Sequence, residues 1–271
     1  MAQISSKIAD LGRLDVSSVT DEAYANGALP NEILDRVGDE SVCVYSYRQA
    51  LGATNPSLNL KIYPSIQGVL TIVPMMEQRN TYFFNSETAP KWVIVYDETI
   101  DDRIEFFDSP YTWDGLKANY QVDSIYDGIT LLKKVNTDTP KDDITQKYTV
   151  ISTNKYLKSE VIEVPDEARY ATVKIDFNLK GKLMKFFYHV YITQIQVNYD
   201  DGRILSGRAV IPTLEEGFET IYFPQNPEEM VEAFGYVGDT VNSNGPKMSS
   251  ISFGGLGLED LADEIEITWY K

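Results

Sequence analysis

Cysteine and histidine are almost missing from this chain, which has one of each, Cys43 and His189, in 271 residues. A single cysteine excludes an intrachain disulfide framework and every metal motif built on several thiolates. A single histidine excludes any site that needs two imidazoles, so a Ser-His-Asp or Cys-His mechanism would have to use His189. Phe187 and Tyr191 flank His189 on one face of a strand-like run, the setting of a core residue. Cys43, between Val42 and Val44, reads as a small buried hydrophobe. Neither a Gly-x-Ser-x-Gly elbow nor a phosphate-binding P-loop sequence is present. Gly254-Gly255-Leu256-Gly257 misses the dinucleotide fingerprint, because its third glycine would fall at Asp260 and only eleven residues follow, so it reads as a flexible corner. No catalytic residue, metal-ligand set or cofactor is expected.

Basic residues are also scarce, 24 against 41 acidic, for a net charge of −17. The deficit is even: residues 1–140 carry 11 basic and 20 acidic side chains, and residues 141–271 carry 13 and 21. Nucleic-acid affinity rests on Lys and Arg displacing counterions, so no nucleic-acid partner is expected, and anionic membrane surfaces are disfavoured for the same reason. No run approaches the ~18 apolar residues of a spanning helix, so no membrane insertion is expected. Residues 1–30 hold Asp10, Asp15, Asp21 and Glu22 and no continuous apolar stretch, unlike a secretory signal. Two acidic clusters, Asp97, Glu98, Asp101, Asp102, Glu105 and Glu259, Asp260, Asp263, Glu264, read as solvated faces. Calcium or glycoside chemistry would need a folded geometry that sequence proximity does not establish.

What is present divides the chain into three parts. Residues 1–40 form an arm of short helices around Ile8 and Leu11, around Tyr24, and over Ile33 and Leu34, each with a cap and a stop but only one to two turns long. Helices this short do not hold themselves in water, so the arm is expected to order on a neighbouring subunit. Residues 41–140 form a β-rich domain with strands at Val42–Tyr47, Leu58–Tyr63, Gly68–Met75, Trp92–Tyr96 and Ile129–Val135, whose spacing suggests sandwich or barrel sheets rather than βαβ units. The polar stretch Thr137–Gln146, interrupted by Pro140, is the linker candidate. Residues 147–271 form a β-sandwich. In it Val173, Ile175 and Phe177 alternate with polar residues, Leu183–Tyr199 is the longest strand-like run, Asp201-Gly202 signals a hairpin, and Ile265, Ile267 and Trp269 mark a half-buried last strand. Asn226 to Gly235 is the one convincing helix, with a cap, a proline at its first position and a glycine stop. The expected class is therefore mainly β, β-sandwich or jelly-roll-like, with helix below about a quarter of residues.

The run Glu160–Ala168, followed by Ala171–Asn178, Ile192–Asp201 and Ile265–Trp269, resembles the strand order of jelly-roll carbohydrate-binding and galactose-binding-like modules. Taken whole, with its leading arm, many Tyr and Asn and little Cys or His, the chain is similar in style to structural proteins of tailed-bacteriophage virions. That resemblance implies a non-enzymatic virion protein, homo-oligomeric and in contact with other virion proteins. The alternative is a cytoplasmic or non-classically exported bacterial protein that binds or acts on a glycan through exposed aromatics. Among 18 Tyr, 11 Phe and 3 Trp, Tyr111 and Trp113 in the turn-rich stretch Pro110–Gly115 are the candidate binding residues.

Overall fold

The computed structural model describes residues 28–45, 49–64, 74–96, 103, 109–135, 148–187, 192–220, 222–238 and 245–271. Thirteen strands and six α-helices occupy these residues. Among the described residues strand outweighs helix, 37% to 29%, so the mainly β class holds.

The first sheet joins β1 (Ser41–Tyr45), β2 (Asn59–Leu60), β3 (Trp92–Tyr96), β4 (Tyr120–Tyr126) and β5 (Ile129–Lys134) in the order β2-β1-β3-β5-β4. β1 runs parallel to both β2 and β3, and the chain reaches β3 through helix α2 (Pro74–Asn85). The expectation against βαβ units is therefore corrected. The reason lies in burial: parallel strands are covered on both faces and read as continuous apolar runs. On one face Val42, Val44, Trp92, Ile94, Ile129 and Leu131 pack under helix α1 (Asn31–Val37). On the other, Cys43, Tyr45, Val93, Val95 and Leu132 meet Phe84 of α2 and Trp113 and Leu116 of α3 (Pro110–Asn119). Burial also pushes the Cys43 thiol pKa up, as its reading as a hydrophobe requires.

Helix α1 corrects one part of the arm reading. Ile33 is fully buried in this core and Leu34 packs partly buried against it, so this piece docks on its own chain rather than on a neighbour. A seven-residue helix cannot hold itself in water, but beside an uncovered apolar sheet face its nearest support is local. Arg36 ties it down further, donating two hydrogen bonds of 2.8 Å to the carboxylate of Asp123 on β4. Ile8, Leu11 and Tyr24 lie outside the described residues.

Residues 150–270 supply eight strands: β6 (Val150–Leu157), β7 (Ile162–Glu163), β8 (Tyr170–Lys174), β9 (Gln194–Tyr199), β10 (Ile204–Arg208), β11 (Phe218–Glu219), β12 (Met248–Gly254) and β13 (Glu264–Tyr270). They form two four-stranded sheets, β11-β8-β13-β6 and β10-β9-β12-β7, antiparallel throughout, with helix α5 (Ile211–Glu216) between β10 and β11. The pairing is nested: β6 with β13, β7 with β12, β8 with β11, β9 with β10. A long hairpin rolled up on itself gives this order, which is the jelly roll. The inner residues Ile195, Val197 and Phe253 of one sheet share a core with Val173, Ile265, Ile267 and Trp269 of the other. The innermost turn is the Asp201-Gly202 hairpin read from the sequence, with Gly202 at φ 89°.

The same core continues into the first sheet. Helix α6 (Pro227–Phe234) sets Phe234 against Trp113 at 5.8 Å between ring centroids, and the chain after it lies along β4, where the Val122 amide donates to Gly235 and the Val237 amide to Val122. Asn226 caps α6 as its sequence suggests, accepting from the Glu229 amide at 2.9 Å. The run Leu183–Tyr199 is not one strand: its first part belongs to helix α4 (Leu179–Phe187), and among its described residues the strand is Gln194–Tyr199. The linker candidate 137–146 lies outside the described residues.

Candidate interaction surface

Helix α4 fills the connection between β8 and β9, and its sequence, LKGKLMKFF, explains both how it is held and what it presents. Asn178 precedes it as an N-cap, its Oδ1 accepting from the Gly181 amide at 2.9 Å. The Asn178 side-chain amide donates to the carbonyls of Glu259 and Leu261, and its backbone amide to that of Asp260, in and beside the 3-10 turn Leu256–Asp260 between β12 and β13. Lys180 reaches back to the fully buried carboxylate of Asp260 at 3.0 Å and to Glu259 at 3.4 Å, which raises its own pKa. Gly181 is the buried residue of the helix because it seats directly on this turn: a Cβ there would stand 2.1 Å from the Asp260 carbonyl oxygen.

At about 100° per residue, Leu179, Leu183, Phe186 and Phe187 share an arc opposite Gly181. Seating Gly181 inward therefore turns this stripe outward. Leu179 is 77%, Leu183 53%, Phe186 81% and Phe187 67% exposed. The two phenyl rings pack edge to face on one another, 4.9 Å between centroids. At ~200 Å² for a full Phe, they alone present roughly 300 Å², already the size of the largest patch on many monomers. Ile192 and Leu256, both exposed, sit at the same end of the roll, where the Gly257 amide donates to the Ile192 carbonyl. Lys180 and Lys182 border the stripe, and Lys185 lies over the Phe177 ring at 5.0 Å. Within a chain of net charge −17, α4 carries three lysines and no acid.

The residues singled out from the sequence lie elsewhere. Trp113 is buried, in helix α3 rather than in an exposed loop, and packs on Tyr45 at 5.0 Å as well as on Phe234. Pro110 starts a helix at that point, and the helical spacing of Trp113 and Leu116 turns both toward the sheet. Tyr111 is on the same helix; its side chain lies outside the described residues, as do His189 and the acidic cluster 97–102 with Glu105. The carboxyl-terminal acidic cluster is a set of lysine-paired carboxylates, with Lys180 on Glu259 and Asp260, Lys158 on Asp263 and Lys155 on Glu264. Asp260 is buried, which corrects its reading as part of a solvated face. Among the described residues no group of three or more His, Cys, Asp or Glu is placed to hold a metal ion, and no helix is long and apolar enough to cross a membrane.

Sequence reasoning missed α4 because Leu183–Tyr199 can be counted with period two. The signal for a helix was available in Asn178 as cap and in Leu179, Leu183, Phe186 and Phe187 at spacings of four, seven and eight. Comparison of the chain with protein-family models, curated proteins and solved structures finds no match.

Proposed function

We propose that this chain is a non-enzymatic structural or assembly protein that works through protein–protein contacts, and, on its resemblance in style to tailed-phage virion proteins, that its assembly is a phage virion. The observation that carries the reading is the outward apolar stripe of α4, fixed to the jelly roll by Asn178, Gly181 and Lys180 rather than left on a loose loop. A face that stays apolar in water is unfavourable unless something covers it. Burying its ~300 Å² of ring surface at ~25 cal/mol per Å² contributes about 7 kcal/mol, against association costs of ~4–15 kcal/mol. The stripe therefore suits one contact among several in an assembly better than an isolated dimer. Burial of Trp113 removes the main candidate for stacking on a glycan.

The test combines mass in solution with lysine cross-linking in intact particles from the culture that encodes the chain. Stoichiometric incorporation, with cross-links from Lys182 or Lys185 to another protein molecule, is the expected result. A chain that is absent from particles, forms no cross-link and turns over a glycan refutes the reading. A version starting at Gly27 keeps Leu29 and Ile33, so it should remain folded and lose incorporation if residues 1–26 are a docking arm.

A further inference from the structure

We propose, resting on the assembly reading, that the chain pairs edge to edge with a second copy of itself, through an antiparallel β6–β6 contact across a two-fold axis at Asn154. β6 is the end strand of its sheet, eight residues long, bonded to β13 on one side only and exposed or half-buried along its whole length. The other sheet ends among the described residues are guarded. β2, β7 and β11 are two residues each, β10 meets Arg103 at Arg208, and β4 is covered where Val122 bonds to Gly235 and Val237. β6 has no proline, and its one charged side chain, Lys155, pairs with Glu264 of its own sheet at 3.3 Å instead of guarding the edge. The fold thus leaves one long open row of backbone donors and acceptors, the surface that an extended strand complements.

The hydrogen bonds identify the open groups. The Lys158 amide donates to the Asp263 carbonyl, and in the register of the two strands Ser152, Asn154 and Tyr156 turn their backbone groups to β13 in the same way. Thr153, Lys155 and Leu157 therefore turn theirs to the open side. Leu157 is already closed: its amide donates to Glu160 Oε2 at 3.1 Å and its carbonyl accepts from the Glu160 amide at 3.0 Å. At the other end the register shifts beside Val150. Thr153 and Lys155 remain, and a second copy satisfies both when its own β6 runs antiparallel, with Thr153 opposite the partner's Lys155 and Lys155 opposite the partner's Thr153. Four N–H···O bonds then flank a pair of Asn154 residues on the axis. The side chains agree with this register. β6 is polar in its middle and apolar at its ends, Val150 being 55% and Leu157 57% exposed, so the Leu157 end of each copy lies against the Val150 end of the other. Lys155 faces a threonine, and no like charges stand directly opposite. The contact is isologous, so it closes as a dimer and leaves the α4 face of each copy free for another partner in the assembly.

Because Asn154 meets itself on the axis, charges placed there test the contact on the full chain. Asn154→Glu and Asn154→Lys each set like charges opposite one another, whereas a mixture of the two sets opposite charges together. The Asn154 side chain is exposed and donates only to Ser152 Oγ at 3.2 Å and no farther into the fold, and far-UV circular dichroism with a thermal melt checks folding. Expected in sedimentation velocity are a concentration-dependent dimer for the natural chain, association at least tenfold weaker for each variant alone, and a 1:1 heterodimer when the variants are mixed. Asn154→Cys should cross-link two copies under mild oxidation, since residues facing each other in a non-hydrogen-bonded pair have Cα atoms ~4.5 Å apart; Cys43 is fully buried and does not compete. Should a charge variant fail to fold, this cross-link decides in its place. A natural chain that stays monomeric, a dimer that both charge variants leave intact, or an Asn154→Cys chain that forms no cross-linked dimer overturns the interface. The assembly reading stands in each of these cases if the chain is still incorporated into particles, and falls only if incorporation fails as well. A natural chain that is monomeric in solution but loses incorporation with both Asn154→Glu and Asn154→Lys has its edge filled by a strand of another protein, which overturns the second copy as occupant.

Discussion

Gly181→Ala reverses an ordinary expectation. In most helices replacing glycine by alanine stabilises by about 1 kcal/mol, because alanine loses less backbone freedom and has the higher helix propensity. At Gly181 the new methyl carbon would stand 2.1 Å from the Asp260 carbonyl oxygen, 2.9 Å from its carbonyl carbon and 3.0 Å from Cδ1 of Phe177. Two of the three are backbone atoms of a turn held by Asn178, so no flexible side chain can swing aside. Relief requires the helix to move out by about an ångström. Such overpacking costs ~1–3 kcal/mol, and the Asn178 cap on the Gly181 amide, worth ~1 kcal/mol, is strained with it. With the propensity gain subtracted, the net loss is about 2 kcal/mol, which for a chain of this size lowers Tm by about 4–8 °C. Differential scanning calorimetry reads the shift, and amide exchange of Lys182 reads whether the helix has lifted locally instead. Gly254→Ala is the control, since a Cβ there meets nothing within 4 Å and its Tm should hold or rise slightly. An unchanged or raised Tm for Gly181→Ala, with Lys182 still protected, would refute the close seating of α4 on which the outward stripe depends.

Two further outcomes follow from the packing and the charges. Trp113→Ala should destabilise by ~3–5 kcal/mol in urea titration, because it empties a fully enclosed aromatic cluster; a loss under 1 kcal/mol would return Trp113 to the surface. Asp123, held below the usual aspartate range by the Arg36 hydrogen bonds, should contribute stability that is complete above about pH 4 and fades as pH falls through its lowered pKa. Asp123→Asn should therefore lower Tm at pH 7 and close the gap to the natural chain toward pH 2; a gap that stays constant with pH would mean the carboxylate charge plays no part.

The jelly-roll half was legible because its strands are half-buried. Val173, Ile175 and Phe177 alternate with Lys174, Asp176 and Asn178, and Ile265, Ile267 and Trp269 with Glu264, Glu266 and Thr268, so a period of two appears in the letters and reappears as burial. The first sheet was less legible for the opposite reason. VCVY and WVIVY are buried on both faces, which erases alternation, and such a run looks the same whether its partner is parallel or antiparallel. β4 passed unread although Asp127-Gly128 before Ile129 is a two-residue hairpin signal, and both residues do take positive φ, 47° and 78°.

Helix α4 was illegible for a reason closer to function. Segmental reading assumes that apolar residues point at this chain's own core, and so places the whole of Leu183–Tyr199, Phe186 and Phe187 included, in one strand-like run. Here the inward residue is the glycine, and the leucines and phenylalanines point out. A helix whose apolar arc faces water while its smallest residue faces the protein has two separate determinants. Asn178, Gly181 and Lys180 fix where it sits, whereas Leu179, Leu183, Phe186 and Phe187 keep more than half of their surface in water. The two sets should therefore separate on mutation: losing the anchors costs stability and surface together, whereas losing the stripe costs association alone. Exposed apolar side chains that the fold does not need are explained by a contact outside it, and that reasoning, rather than any catalytic arrangement, is what makes this end of the roll the functional candidate.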